Sequence, residues 1–262
     1  MTDERPVSAG KGYSIVGRAD GETVVLLHGV FFPRRSWAPV VTLLESGYSV
    51  VTIDLPGHGD LVAVPFTLAG GASWVEEVIG TTGGGPVNLV GWSLGGFVSM
   101  ELAGRRPDLV ARLVLTGASM EPSRFLFGPI RAIARLLSHV PSNVAGAVAF
   151  GAIRVLYGRH AVAPIRAAGS NVPKGMAALA TLPGSGLEDR LAAYPGPTLL
   201  LNGVSDAIAR KQEQRFLAAA RHGTLRLVDH AGHMAPVEQE ARFVEELRAF
   251  LADAVPDAPR EA

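Results

Sequence analysis

Unbroken runs of β-branched and aliphatic residues, each followed by a stretch with helical spacing, constrain this chain more than any other feature. Thr23 to Gly29 (TVVLLHG) is a short apolar run closed by glycine. Ser36 to Gly47 follows, with serine at the helix-capping position, apolar residues at helical intervals and a terminal glycine. The rhythm repeats with Tyr48 to Gly57 as strand, Ala72 to Gly80 as helix, Val87 to Trp92 as strand, Leu94 to Pro107 as helix and Ala111 to Gly117 as strand. A strand with one wet face alternates apolar and polar residues, and these runs do not. They predict an α/β fold with a mostly parallel, doubly wound sheet and helices on both faces.

From Ala118 to Tyr194 the rhythm changes to helical patterns rich in Ala, Arg, Gly and Pro, without a convincing strand. The alternation resumes with Pro197 to Asp206 (strand), Arg210 to Gly223 (helix), Thr224 to His230 (strand) and Val237 to Ala254 (helix). The expected organisation is therefore a core of residues 1–117 and 195–262 interrupted by a helical insertion over 118–194. The end beyond Val255 reads as a frayed tail.

Composition narrows the function. Lys plus Arg equals Asp plus Glu, 24 each, which supports neither nucleic acid nor an anionic membrane as partner. Cysteine is absent, so disulfides, thiolate nucleophiles and cysteine-bound metals are excluded. The first residues lack the basic-then-apolar pattern of a secretory leader. The most apolar later stretch, Ile130 to Tyr157, is broken by arginines, His139 and Pro141 and makes a poor membrane span. The expectation is a cytoplasmic protein whose partner is a small-molecule substrate, with no cofactor and no metal. Oligomeric state is left open.

The sequence GWSLG, Gly91 to Gly95, sets a serine at the junction of an apolar strand and an apolar helix. In a chain with 31 glycines the G-x-S-x-G match alone is weak. Its context is stronger, because a serine on a sharp strand-to-helix turn projects above the carboxyl edge of the sheet, where ligands bind. The turn is too tight for large neighbours, hence Gly91 and Gly95. The plainer reading is a helix-capping serine with glycines that pack helix on strand.

A serine hydroxyl needs a base to become a nucleophile. Of seven histidines, His230 and His233 directly follow the last strand. His233 is favoured over His230, since it lies in the loop after a glycine that lets it turn inward. The base needs an acid to fix its tautomer. Asp206, in the loop after an earlier strand, is favoured over Asp229, whose side chain has difficulty reaching the far side of an imidazole so close in sequence. Helix capping is the plain alternative for Asp206. Two backbone N–H groups should face a developing oxyanion: those of Leu94, at the helix start, and Val30, after Gly29. His28 is expected to hold that loop by hydrogen bonds.

The pieces LLHG, DLPGHG, LVGWSLGG, LLLNGVSD and HAGHMAPVEQ, in that order, resemble the α/β-hydrolase fold family over most of the chain outside the insertion. The resemblance implies Ser93 as nucleophile, His233 as base and Asp206 as acid, with the insertion as a cap over the site. It implies that DLPGHG is a structural loop, so His58 has no catalytic role. The residues DLVAV follow GHG where the family usually has a small residue, and the cap matches no subfamily pattern. A serine elbow implies acyl transfer to water on a carboxylic ester, lactone or thioester. The rivals are a carbon–carbon bond hydrolase or lyase on the same residues, and a ligand-binding protein with slow turnover.

Overall fold

The strands that carry the sheet are apolar on both faces because helices cover both faces. β3 (Thr23–Leu27), β4 (Ser49–Ile53), β5 (Val87–Trp92), β6 (Val110–Thr116), β7 (Pro197–Gly203) and β8 (His222–Val228) run parallel. In β4 and β5 every residue is buried. Two strands with no counterpart in the sequence analysis, β1 (Ser8–Gly10) and β2 (Tyr13–Gly17), add antiparallel on the β4 edge. The order among the described residues is β1-β2-β4-β3-β5-β6-β7-β8. This is a computed structural model; it describes residues 8–122 and 171–253 and the isolated positions 132, 144, 147, 148, 151 and 154. The expected insertion between 123 and 170, those isolated positions apart, and the tail beyond Asp253 lie outside the described residues.

Helices fall where the apolar spacing predicts them, with shifted ends. α1 (Ala38–Leu44) follows a turn of 3-10 helix, Arg34–Trp37, and Ser36 does not cap it. α2 (Leu68–Thr81) begins four residues earlier than expected, where the Thr67 hydroxyl accepts from the Gly70 N–H. α3 (Leu94–Arg105) is buried along its first ten residues, Ser99 and Glu101 included, so it shows no exposed polar stripe. α6 (Glu213–Ala219) is shorter than its pattern, because the chain re-enters the sheet at His222. The last pattern splits into α7 (Ala235–Glu238) and α8 (Glu240–Ala252). No helix among the described residues is long and apolar enough to cross a membrane.

Within residues 171–194 lie α4 (Val172–Leu179) and α5 (Leu187–Ala193). α5 packs on α3: Leu187 and Leu191 are fully buried, Arg190 pairs with the buried Glu101, and Gly104 leaves room for the Arg190 backbone. The Tyr194 hydroxyl donates to the Val110 carbonyl at 3.0 Å. This end of the expected insertion is therefore packed into the central layers.

Strand order reverses at β3, which lies between β4 and β5. Chains diverge there to opposite sides, and the loops leaving the carboxyl ends of β3 and β5 face a common crevice. Those loops carry Val30 and Ser93.

Candidate active site

β5 ends at Trp92 and α3 begins at Leu94, so Ser93 alone makes the turn. Its φ is +51° and ψ −112°, outside the regions that L-residues favour. Neighbouring packing holds it there. A Cβ on Gly95 would collide with the Leu27 carbonyl, and one on Gly91 with Ser99 Oγ. The Ser93 N–H donates to the Thr116 carbonyl at 2.8 Å, and the Gly95 N–H to that of His28 at 3.1 Å. Ser93 makes no side-chain cap to α3, which corrects the helix-capping reading. Its hydroxyl turns to His233 instead: Oγ to Nε2 is 3.1 Å.

His233 lies five residues beyond the end of β8. Its Nδ1 is 3.0 Å from Asp206 Oδ2. With the carboxylate ionised, Nδ1 carries the proton and donates, and Nε2 is left to accept from Ser93. The two loops that bear these residues are joined by backbone. Val204 N–H donates to the Val228 carbonyl at 3.0 Å and Ser205 N–H to that of Ala231 at 2.9 Å. The Glu238 carboxylate takes the Gly232 N–H at 2.6 Å. Trp92, beside the serine, donates its indole N–H to the His233 carbonyl at 2.8 Å.

Asp206 serves two demands at once. Oδ1 accepts the N–H groups of Ile208 and Ala209, both at 2.9 Å, as a capping aspartate does. Oδ2 faces the imidazole. Burial raises the affinity of this carboxyl for a proton. The hydrogen bond and charge of His233, with the two backbone N–H groups, outweigh burial and hold it below the usual carboxylate range. The capping and acid readings of Asp206 are thus compatible.

The competing residues are not part of this hydrogen-bonded line. Asp229 and His230 are exposed, and His230 has φ +55°. His28 is fully buried; its Nε2 accepts from Leu55 N–H at 3.0 Å and its Nδ1 donates to the Gly29 carbonyl at 2.9 Å, which anchors the loop after β3. Burial, then the neighbouring His58, hold it well below the usual histidine range. His58 donates from Nδ1 to the Pro56 carbonyl at 3.1 Å. Beside it, buried Asp54 takes the Arg34 guanidinium and the Asp60 N–H. The DLPGHG segment is tied together by these contacts.

Val30 and Ser93 line one pocket with Gly29, Phe31, Phe32, Trp92, His233 and Met234. Leu94 opens α3 directly after the serine, where helix amides lack intrahelical acceptors. Phe31, which the sequence analysis passed over, has φ +72°. Its ring rests where Gly175 of α4 has no side chain; a Cβ there would lie 2.7 Å from Phe31 Cε1. An aromatic at a left-handed position carries no local sequence signal. Among the described residues no group of three His, Asp or Glu side chains could hold a metal ion.

A profile of the alpha/beta hydrolase family matches residues 24–246. The chain belongs to the alpha/beta hydrolase family. Along most of its length it is 29% identical to a putative carbamate hydrolase, RutD, of Variovorax paradoxus, over 92% of this chain and 95% of that one. A shorter match, 38% identical over 103 residues, is to (E)-2-((N-methylformamido)methylene)succinate hydrolase of Acinetobacter baylyi. It spans 38% of this chain and 39% of the relative. Among solved structures, a thermophilic esterase from Thermogutta terrifontis superposes with a TM-score of 0.78 at 25% identity, over 95% of this chain and 97% of that one. The relatives of this hydrolase-family chain are thus named for hydrolysis of different bonds.

Proposed function

We propose that this member of the family is a serine hydrolase that cleaves an ester-type bond of a small, largely apolar substrate. The observation that carries the reading is the continuous line Ser93 Oγ, His233 Nε2, His233 Nδ1, Asp206 Oδ2, with donor–acceptor distances of 3.1 and 3.0 Å. Ser93 attacks the carbonyl carbon while His233 Nε2 takes its proton. The ionised Asp206 stabilises the imidazolium without accepting a proton itself. The Val30 and Leu94 amides hold the oxyanion. His233 returns the proton to the leaving alcohol. Water then attacks the acyl-enzyme, gives a proton to His233, and the acid departs as Ser93 recovers it.

The expected insertion over 118–194, apart from α5 and Tyr194, which pack on the central layers, is read as the cap over this site. Support comes from α4, which lies against Val30 and Phe31 through Gly175. The pocket lining beside Ser93 is mostly apolar and aromatic, which favours an apolar acyl group.

A second reading, cleavage of a carbon–nitrogen bond in a carbamate, is favoured by the relative matched along most of its length. One panel separates them: p-nitrophenyl esters of increasing chain length, lactones, thioesters, carbamates and a carbon–carbon substrate. Ester turnover with a burst of p-nitrophenol supports the first reading. Turnover of the carbamates alone supports the second. Binding without turnover of any ester-type substrate or carbamate removes both.

A further inference from the structure

We infer that Asn202 is a positioning residue for the acyl-transfer site: its amide holds the Gly117 peptide as the floor under His233 and ties that floor to the loop of Asp206. The inference rests on the reading of Ser93, His233 and Asp206 as the reacting groups.

Asparagine is disfavoured in strand interiors, and a buried amide is costly unless its donors and acceptor are met. Asn202, near the end of β7, is fully buried. Its Oδ1 accepts from the Gly117 N–H at 3.0 Å, and its Nδ2 donates to Ser119 Oγ and to Glu213 Oε2, each at 3.1 Å. An aliphatic residue would satisfy the sheet here at lower desolvation cost, so the amide has another use.

That use follows from where the ladder stops. The paired residues of β6 and β7 end with Leu115 and Leu200. Beyond that point the strands separate, and the Gly117 N–H would have no strand partner. The Asn202 side chain takes its place. Gly117 has φ +61°, and a Cβ added to it would sit 3.1 Å from both Nδ1 and Cε1 of His233. The imidazole therefore rests on this peptide. One residue earlier, the Thr116 carbonyl accepts from the Ser93 N–H. One short segment thus supports both the serine and the base.

The other side of the amide reaches the acid. Glu213 is buried and takes Arg210 Nε at 3.2 Å on its second oxygen. Arg210 donates Nη1 to the Val204 carbonyl at 2.8 Å and its backbone N–H to that of Asp206 at 3.2 Å. Asn202 is the member common to both sides. Misplacement of a reacting group by about 1 Å costs on the order of 10²-fold in rate. Loss of this amide should therefore lower the rate of chemistry and leave binding alone.

The test is Asn202→Leu, similar in shape and without polar atoms, assayed well below its melting temperature. Wild-type labelling by a fluorophosphonate, and its loss in Ser93→Ala, are measured first. No Ser93-dependent labelling or turnover in the wild type removes the proposed function and this inference with it. With labelling present, Asn202→Leu is expected to lower kcat and the maximal labelling rate about 10- to 100-fold, with KM within about twofold. Thr198→Val, a buried change in the same strand far from the network, should leave both rates unaltered. A wild-type kcat in Asn202→Leu, whatever its melting temperature, overturns the positioning role. If Asn202→Leu does not fold, Gly117→Ala tests the same floor, and an unchanged kcat there overturns it equally.

Discussion

Ser93, His233 and Asp206 come from three loops far apart in sequence, so substitutions at each test one geometry. Ser93→Ala should reduce ester turnover by about 10³-fold or more with the fold intact. His233→Ala should cost about as much, and Asp206→Asn a similar order, because an amide can leave the imidazole in the wrong tautomer. His230→Ala and Asp229→Asn should stay within about threefold of wild type, since the hydrogen-bonded line from Ser93 through His233 to Asp206 includes neither side chain. Steady-state kinetics, with circular dichroism as a folding control, provide the check. A severe Asp229→Asn and a mild Asp206→Asn would refute the assignment. At this scale the position after a strand end favoured His233 over His230, and the structure brings His233 within hydrogen-bond distance of Ser93 and Asp206. The sequence could not show Asn202, because one asparagine in a strand resembles any other until β6 and β7 are seen to part.

At the scale of elements the elbow is the most constrained join. Gly95 lies over the end of β3, and an alanine there would drive its Cβ into the Leu27 carbonyl. Backbone cannot yield as a flexible side chain can. Gly95→Ala should destabilise by ~2–3 kcal/mol, measured by urea unfolding, and should also lower activity as α3 is pushed from β3. Gly80→Ala, with nothing near its Cβ, should have little effect on the same curve or raise stability slightly. Equal destabilisation by the two changes would show that the close approach is absent. Strands β3 to β7 were legible because burial on both faces leaves unbroken apolar runs. β1 and β2 were not, since these short edge strands carry no such run and gain their order by pairing, β2 with β4 and β1 with β2.

For the whole molecule, buried histidines make stability depend on pH. Burial holds His28 and His58 below the usual histidine range. The unfolded chain takes up protons near pH ~6.5, whereas the folded protein keeps these rings neutral to lower pH. Their contribution is full above ~6.5 and declines as pH falls toward the folded values. Melting temperature should therefore drop between pH 7.5 and 5.5, and His58→Gln should flatten the slope. A variant slope as steep as wild type would remove His58 from the account. The cap reading belongs to this scale too. Within an apolar cap, each fully buried methylene of the acyl chain should add up to ~0.8 kcal/mol to binding until the pocket fills. Replacing residues 123–170 by a short linker should weaken that chain-length preference and preserve sheet content by circular dichroism. An unchanged preference would show that the segment does not line the site.

The sequence by itself determined the parallel sheet, the strand-to-helix turn at Ser93 and the order of the candidate site residues along the chain. These follow from local rules, since apolar runs report burial and glycine reports close approach. Tertiary structure alone decided that Asp206 caps its own turn with one oxygen and meets His233 with the other, and that Phe31 adopts a left-handed conformation against α4. It also decided that Asn202 replaces a missing rung of the sheet beneath the imidazole. Each of these depends on which distant segments share a surface, and contacts of that kind leave no periodic trace in the chain.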